Sequence, residues 1–403
     1  MSETATRMSQ RDRLLAVLAG EQPDRIPFID RLEVWYDART RTGTLPEELR
    51  DLTLTEIHRV VGMGQLEFVR PVGFRLRGVE LRVTFNGEPY FTEHEPVVFH
   101  YPAFRDIVQR DKPGLTRFEL VTPVGTVAGE EQMLQEAIDC GEEPYLREHL
   151  IKEDDDFRVA HWILDHMELV PRFEEFRELD AGFGEVGFAI AGIQQIPFQQ
   201  VLLEYLGEMS TFYALYDNPK AVKALIDHAH ERLLDTLDCL AELDTPYVEL
   251  LDNLTAHMAN PKLFREWCLP HYQQYAEILH GQGKRMGSHT DGDLKPLLDL
   301  IAESGLDVCE SFSPAPLSST TFDEVWDAWG GREWPIVWGV IPSPLLEARV
   351  PEEELHAFVE HVLERVGDGR VILGVSDMVM GHNEIDRVRW IADRVEEHER
   401  GLR

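Results

Sequence analysis

A chain of 403 residues in which 43% are hydrophobic can bury a large core, which excludes the disordered and fibrous classes. Its formal net charge of -35 excludes a nucleic-acid groove as the main business, because phosphate binding needs clustered Lys and Arg. No apolar run approaches the ~18 residues of a membrane helix, the N-terminus lacks the apolar centre of a secretory signal, and the four scattered cysteines form no Cys-x-x-Cys pair, so a reduced cytoplasmic protein without a membrane partner is expected.

Apolar residues at helical spacing (Leu14, Leu15, Val17, Leu18) predict a helix over 8–19 that stops at Gly20. Residues 26–29 read as a short buried strand opening into Asp30, Arg31, Glu33 and Trp35. Helical spacing returns over 45–61, and 66–69 is a second short strand. Between about 74 and 126 the rhythm becomes alternation, as in Val79-Glu80-Leu81-Arg82-Val83, with Asn86-Gly87 as a turn, and this predicts an antiparallel insertion. Asp154-Asp155-Asp156 opens a helical region through Phe173, and a charge-rich loop ends at Gly184. From there strand, turn and helix alternate, with strands starting at Val186, Tyr247, Arg285, Val308, Ile336 and Val371 and helices that include 322–329 and 352–366. With the starts at Ile26 and Leu66 these make eight parallel-type strands. The expected fold class is α/β: a (β/α)8 TIM barrel, a single domain over 1–403, with an N-terminal antiparallel β insertion at about 74–126.

In such a barrel the chemistry lies at the carboxyl ends of the strands. Here those ends are polar: Glu249 and Asp252, His289 and Asp291, Glu310, then Ser376 and Asp377. One carboxylate after a strand is more often a helix cap or a turn residue. Four successive instances are harder to assign that way. His289 and Asp291, two residues apart, leave an extended strand on the same side. Either Glu249, His289, Asp291 and Asp377 hold a divalent metal through nitrogen and oxygen donors, zinc or a harder ion, or His289, Asp291, Asp377 and Glu310 form a metal-free acid and base group. Arg31, Trp35 and Arg39 follow the first strand, where an aromatic and two cations can clasp an anionic or planar substrate; packing and surface ion pairs explain them equally well. Gln194 and Asp252 at strand ends, and His382 in a loop beyond the last strand, complete the expected substrate contacts.

Three segments resemble one known family. They are Arg11-Asp12-Arg13 through Gly20-Glu21-Gln22-Pro23-Asp24-Arg25-Ile26-Pro27, then Thr122-Pro123-Val124-Gly125-Thr126, then His289-Thr290-Asp291-Gly292 with Pro296 and Gly305-Leu306-Asp307. Together they resemble the uroporphyrinogen decarboxylase superfamily, which also contains cobalamin-linked methyltransferases. The second segment is similar to one common in the methyltransferase branch, and the third to a His-x-Cys-Gly segment. Where the decarboxylase branch carries an Arg-Gln-Ala-Gly-Arg clamp, this chain has the stretch from Arg31 to Arg39. Where the methyltransferase branch places a zinc-binding Cys it has Asp291, and Gly374-Val375-Ser376-Asp377 supplies no second one. The resemblance implies a methyltransferase acting on a small molecule, with a corrinoid carried by a partner protein, and it admits a homodimer. The alternatives are a decarboxylase, of the uroporphyrinogen type or of another carboxylate, for which Arg31, Arg39 and Arg70 are the available cations, and a non-catalytic ligand-binding barrel.

Overall fold

Runs that are apolar at every position, such as Phe188-Ala189-Ile190-Ala191 and Ile336-Val337-Trp338, suit parallel strands covered on both faces. In the computed structural model, which describes residues 7–102, 110–367 and 369–401, they form one eight-stranded parallel sheet. Its strands are β1 (Ile29–Asp30), β2 (Gly64–Val69), β3 (Gly187–Ile193), β4 (Tyr247–Leu250), β5 (Arg285–His289), β6 (Val308–Phe312), β7 (Ile336–Pro342) and β8 (Val371–Ser376), each paired with the next. Phe28 bridges Leu373 in parallel, so the sheet closes into a barrel. The expected (β/α)8 barrel is what the chain forms.

Alternation along each strand sorts the side chains. Ile29, Leu66, Phe188, Ile190, Val308, Ile336, Trp338 and Ile372 point into the barrel, and Leu14, Val17 and Leu18 of the N-terminal helix Gln10–Leu18 pack against them. That helix starts at a capping box between Ser9 and Asp12 and stoppers the end of the barrel opposite the carboxyl termini of the strands. The outward-facing set, including Ala189, Val248, Met286, Cys309, Val337 and Leu373, packs under the helices. Apolar filling is therefore spent in the lower barrel, and polar residues appear at the inward positions one and two steps higher.

The seam between β8 and β1 is held by a buried carboxyl. Asp30 accepts hydrogen bonds from the backbone N–H of Arg31 (2.7 Å) and of Val375. Burial, against the charge of Arg31, pushes the Asp30 carboxyl well above its usual range. This seam sets the ends of β1 and β8 side by side, and with them Arg31 and Asp377.

The antiparallel part is larger than the sequence rhythm suggests. A five-stranded sheet runs from Glu80 to Glu148, and a three-stranded sheet joins Val72–Leu76, Val97–Val98 and Met167–Pro171. Residues 154–173 are therefore not one helical region: the helix Asp154–Asp165 ends and Met167–Pro171 pairs with Val72–Leu76. The expected charge-rich loop is the helix Phe173–Phe183, which buries Phe176 and Phe183 while Glu174, Glu175 and Glu178 face outward. Residues 45–61 divide as well, because the Thr53–Glu56 capping box begins a new helix, Leu54–Val61. Among the described residues no helix is long and apolar enough to cross a membrane.

Candidate active site

β5 ends in His289, which belongs to both groups of candidate metal-binding side chains found among the described residues. Its inward positions are Gly287 and His289, and the imidazole stands between two sets of carboxylates. On one side Nδ1 is 2.5 Å from Glu310 Oε2 of β6. On the other, Nε2 is 3.5 Å from Asp377 Oδ1, just past β8, and 3.9 Å from Asp291 Oδ2, just past β5. Burial alone would push the imidazole down, yet the charges of Glu310, Asp291 and Asp377 outweigh it and hold His289 well above its usual range. Some cation, proton or metal, is therefore favoured at Nε2.

Two consecutive residues of β6 serve this site because the strand is irregular. The register with β7 shifts between Cys309 and Phe312, and Ser311 has a φ of 59°, in the left-handed region that few side chains adopt. Glu310 faces His289 by ordinary alternation, and the irregularity lets the next side chain serve the site too, the Ser311 hydroxyl donating to Asp377 Oδ1 at 2.9 Å. Arg31 completes that side, with Nη2 at 3.5 Å from Asp377 and Nη1 at 3.6 Å from Glu33, its guanidinium lying over the Phe68 ring. Burial would raise Asp377, but His289, Arg31 and Ser311 hold its carboxyl below the usual range, whereas burial dominates at Asp291 and raises it.

The residues expected to bind a metal do not form one cluster. His289, Asp291 and Asp377 form one group at the mouth, and Glu249, His289 and Glu310 form another beneath it, each with one donor atom per residue within 4.8 Å of the others. Glu249 is fully buried and receives the Tyr247 hydroxyl on Oε2 at 2.7 Å. Burial, reinforced by the charge of Glu310, pushes its carboxyl well above the usual range. The upper group fits a divalent ion: bonds of about 2.0–2.2 Å put neighbouring ligand atoms about 3.0–3.5 Å apart, close to the spacing around Nε2. No cysteine belongs to either group among the described residues, so zinc in a nitrogen and oxygen site, or a harder ion, suits the donors.

Several expected substrate contacts are placed elsewhere. Trp35 and Arg39, four residues apart on the helix Glu33–Arg41, present one face, and both donate to the carbonyl of Asn383 at 3.1 Å. They anchor the segment after β8 instead of lining the mouth. Gln194 turns away toward Thr236 at 3.4 Å, and His382 is over half exposed, 3.5 Å from Glu347. Asp252 is a structural hub: it accepts from the N–H of Ile196 (2.6 Å) and the hydroxyls of Tyr272 and Ser288 (2.7 Å each). Arg31 stays at the mouth, held by Asp377 and Glu33. Ser311 and Tyr247 were not expected from the sequence. A cavity of about 340 Å³ opens on Arg31 and Asp377, with Val34, Met378 and Met380 as its apolar walls.

Burial pushes the Asp252 carboxyl up to about 6 from 3.8, against its three hydrogen-bond donors. A raised carboxyl favours the folded state fully below about pH 3.8, and that contribution is lost as the pH rises through about 6. Denaturant titrations of the wild type and of Asp252→Asn are expected to show the wild type losing about 3 kcal/mol relative to the variant between pH 4 and 7. A pH-independent difference would place the ionisation elsewhere.

The family model described as uroporphyrinogen decarboxylase (URO-D) matches residues 188–398, from β3 to the last helix. A solved structure of a methyltransferase from Methanosarcina mazei is similar over 97% of this chain and 99% of that one, with a TM-score of 0.56 at 14% identity, a likeness of fold. A ribulose-1,5-bisphosphate carboxylase/oxygenase from Pyrococcus horikoshii OT3 is aligned over 60% of this chain and 47% of its own at 10% identity, with a TM-score of 0.31. Among curated proteins none matches this chain.

Proposed function

The chain belongs to the uroporphyrinogen decarboxylase family, and from that premise we propose that it is a methyltransferase acting on a small molecule that is not a polycarboxylate. The observation that carries this reading is the charge around His289. Glu310, Asp291, Asp377 and Glu33 surround the mouth, and Arg31 already pairs with two of them. A substrate with several carboxylates would meet net repulsion there, whereas a neutral or cationic one would not.

His289, Asp291 and Asp377 are the residues that would hold a divalent ion, which supplies Lewis acidity toward an oxygen or nitrogen of the methyl acceptor. Glu310 fixes the ring so that Nε2 faces the mouth, and Ser311 and Arg31 fix Asp377. Arg31 and the apolar walls of the adjoining cavity orient the substrate. The methyl group is carried by a corrinoid on a partner protein, as the family resemblance implies, and the reaction takes place in the cytoplasm.

Two measurements on the purified protein test this. Elemental analysis is expected to give about one divalent ion per chain, and mixing with methylcobalamin and neutral or amine acceptors is expected to change the corrinoid absorbance. Release of carbon dioxide from a carboxylated substrate, with no corrinoid change, would overturn methyl transfer in favour of decarboxylation.

A further inference from the structure

Below His289 the barrel interior holds a hydrogen-bonded column that a metal site alone does not require. Tyr247 and Glu249 occupy successive inward positions of β4, and Tyr247 belongs to the apolar cluster of the lower barrel. Its hydroxyl rises past Gly287 of β5, where any side chain would collide with it, and donates to Glu249 Oε2 at 2.7 Å. The other oxygen, Oε1, is buried with no hydrogen-bond partner. Glu310 stands within reach, and one oxygen of each carboxyl lies within 4.8 Å of the other and of His289.

A buried oxygen left without a partner is costly. Tyr247 donates to Oε2, which leaves Oε1 as the oxygen of Glu249 still open to a partner, with Glu310 as the neighbouring carboxyl. Glu310 is thus bounded by Glu249 on one side and by His289 Nδ1, at 2.5 Å, on the other.

We propose that Tyr247 and Glu249 are positioning residues, a buried column that holds Glu310 against His289 and so presents Nε2 to the mouth, with Glu249 packing against Glu310 and not serving as a metal ligand. This rests on the reading of His289, Asp291 and Asp377 as the metal site. A positioning residue and a metal-binding carboxylate respond oppositely to amide replacement, because glutamine keeps the shape, an acceptor for Tyr247 and a polar group toward Glu310 while removing the charge a metal would bind.

The test is a competitive chelator titration with zinc, combined with nitrogen-15 shifts of the His289 ring in metal-stripped protein. Glu249→Gln is expected to keep zinc affinity within about threefold of wild type and leave the ring shifts in place. Glu249→Ala is expected to weaken zinc about 10- to 100-fold, in the range of outer-shell losses, and to move the Nδ1 shift, with Tyr247→Phe between the two. Loss of zinc in Glu249→Gln would make Glu249 a ligand and overturn the proposal, as would unchanged affinity and shifts in Glu249→Ala. If the wild type binds no zinc, the metal reading fails, and the ring shifts still decide whether the column orients His289.

Discussion

Asp377→Asn is expected to strip the proposed divalent ion from the protein while leaving its fold in place. The side chain is 38% exposed, so the substitution opens no core cavity. The amide oxygen can still accept from Ser311, and Arg31 keeps Glu33 as a partner at 3.6 Å. What is removed is one negative charge beside Nε2, at a group that His289, Arg31 and Ser311 keep ionised at neutral pH. Outer-shell partners of a metal already cost 10- to 100-fold in affinity, so losing a charged ligand is expected to cost more than about 100-fold. Lewis-acid assistance is worth several kcal/mol, and each ~1.4 kcal/mol is tenfold in rate, so the proposed methyl transfer is expected to fall roughly 10³-fold. Metal content after dialysis, thermal unfolding and initial rates measure the three effects separately. A variant that retains its ion would leave Asp377 as a partner of Arg31 and nothing more. His289→Ala should lose the metal equally but leaves Glu310 buried without its partner, so its effect on stability is less cleanly separated.

The barrel is legible in the sequence chiefly through strands buried on both faces, such as Gly187–Ile193 and Ile336–Pro342, whose unbroken apolar runs mark them whatever surrounds them. Helices with local stop and start signals are equally plain: 322–329 follows a capping box from Thr321 to Glu324, and it forms with those bounds. Met167–Pro171 is different. Its strand state is set by pairing with Val72–Leu76, almost a hundred residues earlier, and helical spacing on either side conceals it. At the site, position along a strand locates His289, Glu310, Asp291 and Asp377 at the mouth, but it cannot say which way a residue after the strand will turn. Trp35 and Arg39 lie on a helix whose inner face meets Asn383, and nothing nearby in sequence announces that contact. Ser311 is hidden for a local reason, since strict alternation would point it away from Glu310's side and only the register shift brings it to Asp377. Tyr247 reads as an ordinary apolar strand residue. Its hydroxyl gains meaning only from the gap that Gly287 leaves on the neighbouring strand.

Gly287→Ala tests that gap and is expected to be among the most destabilising single-methyl additions in the chain. Gly287 has no left-handed φ, so its backbone would accept alanine and the cost is one of space. A Cβ there would lie 2.5 Å from Tyr247 Cζ and 2.8 Å from Cε2, and nearer still to the hydroxyl oxygen. The ring cannot swing aside, because it is fully buried in the lower barrel with Trp338 as a neighbour at 6.4 Å between ring centroids. Overpacking a rigid core costs about 1–3 kcal/mol, and a ring without an escape route belongs at the upper end, about 3 kcal/mol. If the barrel yields instead, Tyr247 moves, Glu249 loses its donor, and the grip of Glu310 on His289 loosens. Either way stability and metal affinity fall together, which a substitution on the outer face of β5 would not produce. Combining Gly287→Ala with Tyr247→Phe removes the atom of closest approach while leaving the ring, so the double variant should be less destabilised than the two single effects summed. Simple additivity in denaturant unfolding would mean that glycine and tyrosine do not share that space, and the column beneath His289 would lose its foundation.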